Sequence, residues 1–102
     1  MITIKAKLFS SIKDRGIGLI GKKKAEPALF YTRLGIHTIG MSFPIDVLVL
    51  DKNNKVAKLK ENLKPNSLFF WPIKYDAVLE LPAGFIKSLR LEVGSKIDLK
   101  LV

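Results

Sequence analysis

The chain runs to 102 residues, 48% of them hydrophobic, with 18 Lys and Arg against nine Asp and Glu, a formal net charge of +9 and no Cys. A chain this short buries one core, which excludes a Rossmann unit or a large catalytic barrel, and its apolar fraction excludes disorder. Without cysteine there is neither a disulfide framework nor a thiolate metal site, so packing alone must hold the fold.

The first residues, Met1-Ile2-Thr3-Ile4-Lys5-Ala6-Lys7, break every apolar run with a Lys or Thr and so contain no signal-peptide core. Apolar stretches such as Val47 to Leu50 fall far short of the ~20 residues that span a bilayer. A cytoplasmic protein without a membrane partner is the expectation. Residues 2 to 8 alternate, with Ile2, Ile4, Ala6 and Leu8 opposite Thr3, Lys5 and Lys7, the period of a half-buried strand. Ser10 or Ser11 can cap a short helix holding Ile12, Asp14 and Arg15, but Gly16, Gly18 and Gly21 forbid a long one. Pro27 then fits the entry to a strand at Ala28 to Thr32.

From Gly35 to Asp51 the chain is predicted to be mostly extended. Val47-Leu48-Val49-Leu50 is apolar on both faces and reads as a central strand. Asp51-Lys52-Asn53-Asn54-Lys55 has the composition of a hairpin turn, because Asn tolerates positive φ, and Val56 to Leu63 is its returning strand. On that strand Ala57 and Leu59 are expected to face inward and Lys58 and Lys60 outward. Leu68 to Trp71 and Tyr75 to Leu81 supply two more strands, with Phe70 facing opposite to Phe69 and Trp71 and with Glu80 outward. Pro82-Ala83-Gly84 starts a short helix over 85–90, and a last strand holds Ile97, Leu99 and Leu101. The sum is a single mainly β domain over residues 1–102: a small, partly closed β-barrel or a sandwich of six to seven short strands, with one or two single-turn helices.

The charge is uneven. Residues 1–33 hold eight cations against two acids, and residues 52–64 hold five against one. Fifteen of the eighteen cations are Lys, a bias found in thermophilic proteins. If the two stretches meet, Lys22, Lys23, Lys24, Lys58 and Lys60 form a face that attracts nucleic acid or another acidic partner, with Trp71 beside it as a stacking ring. Solubilising lysines on strand exteriors would give the same composition.

Gly18-Leu19-Ile20-Gly21-Lys22, then His37-Thr38-Ile39-Gly40-Met41-Ser42-Phe43-Pro44-Ile45-Asp46 running on to Asp51, then Leu79-Glu80-Leu81-Pro82-Ala83-Gly84, occur in that order. Together they resemble the signatures of DUF-192, a family of bacteria and archaea without a defined activity. The resemblance spans nearly the whole chain and implies a compact, mainly β domain with little helix. This chain differs from the family pattern in having Ile20 for a Met, Ser95 for an acid and no aromatics after His37-Thr38.

In an extended chain His37, Ile39 and Met41 share a face, and a turn between Gly40 and Pro44 would bring Asp46 back toward His37. That motivates the leading expectation, a non-enzymatic binding or accessory domain for an unknown small ligand, with a shallow site made by His37, Thr38, Met41, Asp46 and Asp51. Polyanion binding through the lysine face is the second, and a hydrolase using His37 with Asp46 the third. No hydroxyl lies in a nucleophile elbow, so no catalytic residue is assigned. One His and no Cys offer too few soft ligands for a metal, no cofactor is expected, and a monomer or weak homodimer is the expected state.

Overall fold

The computed structural model describes residues 1–9 and 26–102. The expected turn of helix after Ser10, and the Lys22-Lys23-Lys24 run, lie outside those residues. Among the described residues eight strands and one helix follow in order: β1 (Ile2–Leu8), β2 (Ala28–Tyr31), β3 (Gly35–His37), β4 (Ile45–Leu50), β5 (Val56–Leu63), β6 (Leu68–Phe70), β7 (Ala77–Pro82), α1 (Phe85–Ser88) and β8 (Ile97–Leu101). Six strands form one sheet in the order β5-β4-β7-β2-β1-β8, and β3 pairs with β6 in a separate antiparallel ribbon. In the large sheet β1 runs parallel to β2 and β8, while the β2–β7, β7–β4 and β4–β5 pairs are antiparallel.

The alternation of side chains sorts the sheet's two faces. On one face Phe30, Ile45, Val47, Val49 and Val78 pack against Ile36, Met41, Phe43, Phe69 and Trp71 from the ribbon and its flanking loops. On the other, Ile4, Ala6, Leu29, Leu48, Leu50, Leu79 and Leu81 pack against Ile86 of α1 and Leu91. All six residues of β4 are therefore buried, which is why its sequence is apolar without alternation. On β1 the alternation survives, with Ile4 and Ala6 buried and Thr3, Lys5 and Lys7 exposed.

The architecture is sandwich-like and does not close into a barrel. Among the described residues, the edge strands β5 and β8 meet through an isolated bridge between Lys55 and Lys96 and through bonds such as Val56 N–H to the Ser95 carbonyl, 2.9 Å. Beyond that bridge β8 stays with β1, in register from Ile2–Ile97 to Ala6–Leu101. Register shifts between Val49 and Leu50, and again between Ile45 and Val47, interrupt the β4–β5 ladder and bend β5. The bends also alter its expected facing: Val56 and Leu63 are buried, and Lys58 is half-buried with its Nζ 4.9 Å from the centre of the Phe69 ring.

The turn residues behave as their chemistry requires. Asn54, Asn62 and Asn66 adopt φ of 60°, 53° and 59°, where Asn is the tolerated non-glycine residue. The helix is shorter than the expected 85–90: it ends at Ser88, and Arg90 at φ 55° turns the chain out of it. Glu80 differs from expectation as well, being fully buried, because β7 lies between β4 and β2 and both its faces are covered. No helix among the described residues is long and apolar enough to cross a membrane.

Candidate functional site

The segment from His37 to Asp51 supplies most of the expected site residues, and the structure gives each of them a different task. Thr38 is fully buried, its hydroxyl donating to the Lys64 carbonyl at 2.6 Å and accepting the Ser67 N–H at 2.9 Å. Its backbone carbonyl accepts from Met41 and Asn66, so one residue ties the turn after β3 to the turn before β6. Thr38→Val keeps the shape but strands the Ser67 donor and the Lys64 acceptor. It is expected to cost about 2 to 3 kcal/mol, read by urea denaturation. A loss below about 0.5 kcal/mol would show that the hydroxyl is dispensable to this junction.

Met41 is buried among Ile36, Phe43, Phe69 and Trp71 as a packing residue. Asp46 is buried on the helix side of the sheet. One of its oxygens accepts the Asn62 N–H at 2.8 Å, and the other accepts the N–H groups of Gly84 and Ile86 at 3.0 and 2.9 Å. A carboxylate placed at the start of α1 thus joins the β4–β5 hairpin to the helix. Asp51 closes that hairpin at its other end, its Oδ1 accepting from Asn53 and Lys55. The Lys55 N–H holds the Asp51 carboxyl below its ordinary pKa, against the opposing effect of burial, with the Asn53 N–H and the Lys55 and Lys52 charges adding to it.

His37 and Asp46 are not brought together. Ile36 of β3 packs on the Val47 and Val49 face of the large sheet, whereas Asp46 projects on the opposite face with Leu48 and Leu50. The turn between Gly40 and Pro44 carries the chain from the ribbon into the sheet, which then stands between the two side chains. Asp51 is separate from both, at a hollow of about 290 Å³ lined by Tyr31, Lys52, Lys74, Tyr75 and Asp76 among others. Among the described residues no group of three or more His, Asp and Glu is placed to hold a metal ion.

What His37 shares instead is the outer face of the β3–β6 ribbon. Gly35 and His37 stand opposite Phe70 and Leu68, while the intervening Ile36–Phe69 pair points into the core. Leu34, Leu68, Phe70 and Ile73 are each more than half exposed, at 57%, 62%, 59% and 59%. A shallow hollow of about 230 Å³ runs across this face between Arg33, Leu34, His37, Leu68 and Phe70. Phe70 lies directly over Gly35: a Cβ there would come within 2.6 Å of the Phe70 ring and of the Phe69 carbonyl oxygen. Arg33 is held at the rim by donating to the Ile73 carbonyl at 2.9 Å, and it sits 4.0 Å from Asp76. The His37 Nδ1 accepts the Ile39 N–H at 3.3 Å, which leaves Nε2 as the proton-bearing nitrogen of the neutral ring.

Of the lysine-face reading, the structure describes Lys58, Lys60 and Trp71. Lys58 donates to the Phe70 carbonyl at the ribbon's edge, Lys60 is exposed further along β5, and Lys22, Lys23 and Lys24 lie outside the described residues. Trp71 is buried, its ring 5.9 Å from Phe69 and its indole N–H donated to the Tyr75 carbonyl, so it offers no open face for stacking. The exposed ring is Phe70, as the alternation through Phe69-Phe70-Trp71 requires. The aliphatic companions Leu34 and Leu68 escaped sequence reasoning; alternation was the signal available for Leu68, and Leu34, outside the strands, had none.

Three comparisons bear on this geometry. Residues 2–99 match the family model of DUF192, described as an uncharacterized ACR family. A crystal structure from Sinorhizobium meliloti, described as a "putative transcription regulator", superposes with a TM-score of 0.78 at 22% identity, covering 89% of this chain and 78% of that one. A protein of unknown function from Novosphingobium aromaticivorans superposes with a TM-score of 0.76 at 18% identity, covering 89% and 71%. At these identities the likeness is one of fold. No curated protein gives a significant match.

Proposed function

The chain belongs to the DUF192 family, and from that starting point we propose that it is a non-enzymatic binding domain whose contact surface is the outer face of the β3–β6 ribbon. One observation carries the reading: Leu34, Leu68 and Phe70 lie exposed together around a hollow that also holds His37. Contiguous exposed apolar side chains are costly in water and mark surfaces that are covered in use. The other motif residues support it by exclusion, since Thr38, Met41, Asp46 and Asp51 are committed to packing and turns and His37 alone of the set meets solvent on this face. A hydrolase reading has less support, because His37 has no carboxylate from Asp46 to orient it. The test is a photoreactive amino acid placed at Phe70 and, as a control, at Val93, which is 64% exposed on the helix side. Adducts formed in cells from position 70 and not from 93 are expected. Equal labelling at both, or none at 70, would refute the reading.

A second reading, polyanion binding, is favoured by the register of β1 and β8. Lys5 stands directly opposite Lys100 on an exposed stretch, a like-charge pair beside which Asp98, 3.9 Å from the Lys100 ammonium, is the neighbouring acid, and a bound anion would add to that relief. If it holds, affinity for a DNA oligonucleotide falls with salt at a log–log slope of about −0.7 to −0.9 per phosphate contacted, and Lys5→Glu with Lys100→Glu flattens that slope. Absence of a gel shift at ~50 mM salt would dismiss it.

A further inference from the structure

The apolar ribbon face has a chemistry that narrows its occupant, granted the reading above that it is a contact surface. Its hollow, at about 230 Å³, is shallower than the ~300 to 1,000 Å³ cavities that bury a small ligand, and is sized for one or two side chains of a larger partner. The exposed apolar residues around it are the aliphatic Leu34 and Leu68 beside Phe70, and the His37 imidazole is the other ring in the hollow. Aliphatic side chains pack against other apolar side chains, whereas single-stranded nucleic acid is held on stacking rings.

The charges narrow it further. The hollow's lining includes Arg33 and no carboxylate, and Lys58 reaches the Phe70 carbonyl from the side. Asp76, 4.0 Å from Arg33, is the acid found at this rim among the described residues. The whole chain carries +9. A second copy docked face to face would set these cations against their own kind, in a body already strongly positive. A partner carrying acids beside apolar side chains would meet both features at once.

We propose that the outer face of the β3–β6 ribbon docks an acidic protein segment, seating its apolar side chains between Leu34, Leu68 and Phe70 and its carboxylates against Arg33. The probe is a fluorescein-labelled synthetic peptide alternating Glu with Leu and Phe, titrated against the full chain by anisotropy. Its controls are the same peptide with Lys for Glu, the same with Ser for Leu and Phe, and a single-stranded DNA oligonucleotide. The Glu–Leu–Phe peptide is expected to bind, with affinity falling as NaCl is raised. Leu68→Ser with Phe70→Ser should weaken it about tenfold or more, and Arg33→Glu likewise, the latter with the thermal midpoint unchanged. Both routes are examined because Phe70 also covers Gly35, and Arg33→Glu leaves that contact intact. Binding of the Ser-substituted or Lys-substituted peptide as tightly as the probe, preference for the oligonucleotide, or concentration-dependent dimerisation through this face would overturn the proposal. Adducts at position 70 without peptide binding would reject the acidic partner and keep the contact surface, whereas absence of both would reject the two together.

Discussion

Asp46→Ala is expected to lower the free energy of unfolding by about 3 to 5 kcal/mol. The carboxylate is 1% exposed and receives three backbone N–H groups, from Asn62, Gly84 and Ile86, at 2.8 to 3.0 Å. Alanine leaves all three donors without a partner, each costing about 1 to 3 kcal/mol where water cannot reach. Domains of this size are stable by roughly 5 to 15 kcal/mol, so the variant sits near the edge of folding. Asp46→Asn should fall between the two, since one amide oxygen remains to accept while the new NH₂ faces a donor. Equilibrium denaturation of the three proteins gives the order directly. An Asp46→Ala protein within about 1 kcal/mol of the parent would mean that water replaces the carboxylate, and the link between hairpin and helix would then be incidental.

Gly35→Ala should cost about 2 to 3 kcal/mol for a different reason. The added Cβ meets two atoms at 2.6 Å, the Phe70 ring and the Phe69 carbonyl oxygen. The ring can swing away but the carbonyl is fixed by the ladder that joins β3 to β6. The double variant Gly35→Ala with Phe70→Ala should therefore recover little of the loss. Recovery to within about 0.5 kcal/mol of Phe70→Ala alone would assign the whole conflict to the ring and leave the backbone approach unimportant. The same close approach explains why an exposed aromatic side chain is tolerated here at all: Phe70 covers a strip of ribbon backbone that glycine leaves bare.

Much of the fold is legible in the sequence because each strand carries a local signal. Alternation marks β1 and β7, a doubly apolar run marks β4, and the Asp51–Lys55 turn announces the β4–β5 hairpin. The division into a six-stranded sheet and a separate ribbon is not legible, because it depends on which strands pair, and pairing leaves no periodic trace. The burial of Glu80 was hidden for the same reason: an acid between two leucines looks outward until its strand is known to be central. The candidate site shows the harder limit. The residues that make the His37–Asp51 stretch distinctive are distinctive partly because the fold needs them, Thr38 to clasp two turns and Asp46 to hold a helix start. Spacing along the chain gave no warning that a sheet would stand between His37 and Asp46.

The parallel pairing of β1 with β8 has a consequence for how the molecule is made. Thr3 and Asp98 are hydrogen-bonded across 95 residues of chain, so the flank of β1 that β8 occupies stays bare until those residues have been synthesised. A strand left waiting in this way is a template for pairing with the wrong chain, and the slow closure of so long a loop prolongs the danger. Lys5 and Lys7, projecting from that strand, put like charges in the path of a second nascent chain, a safeguard of timing that the finished protein no longer needs.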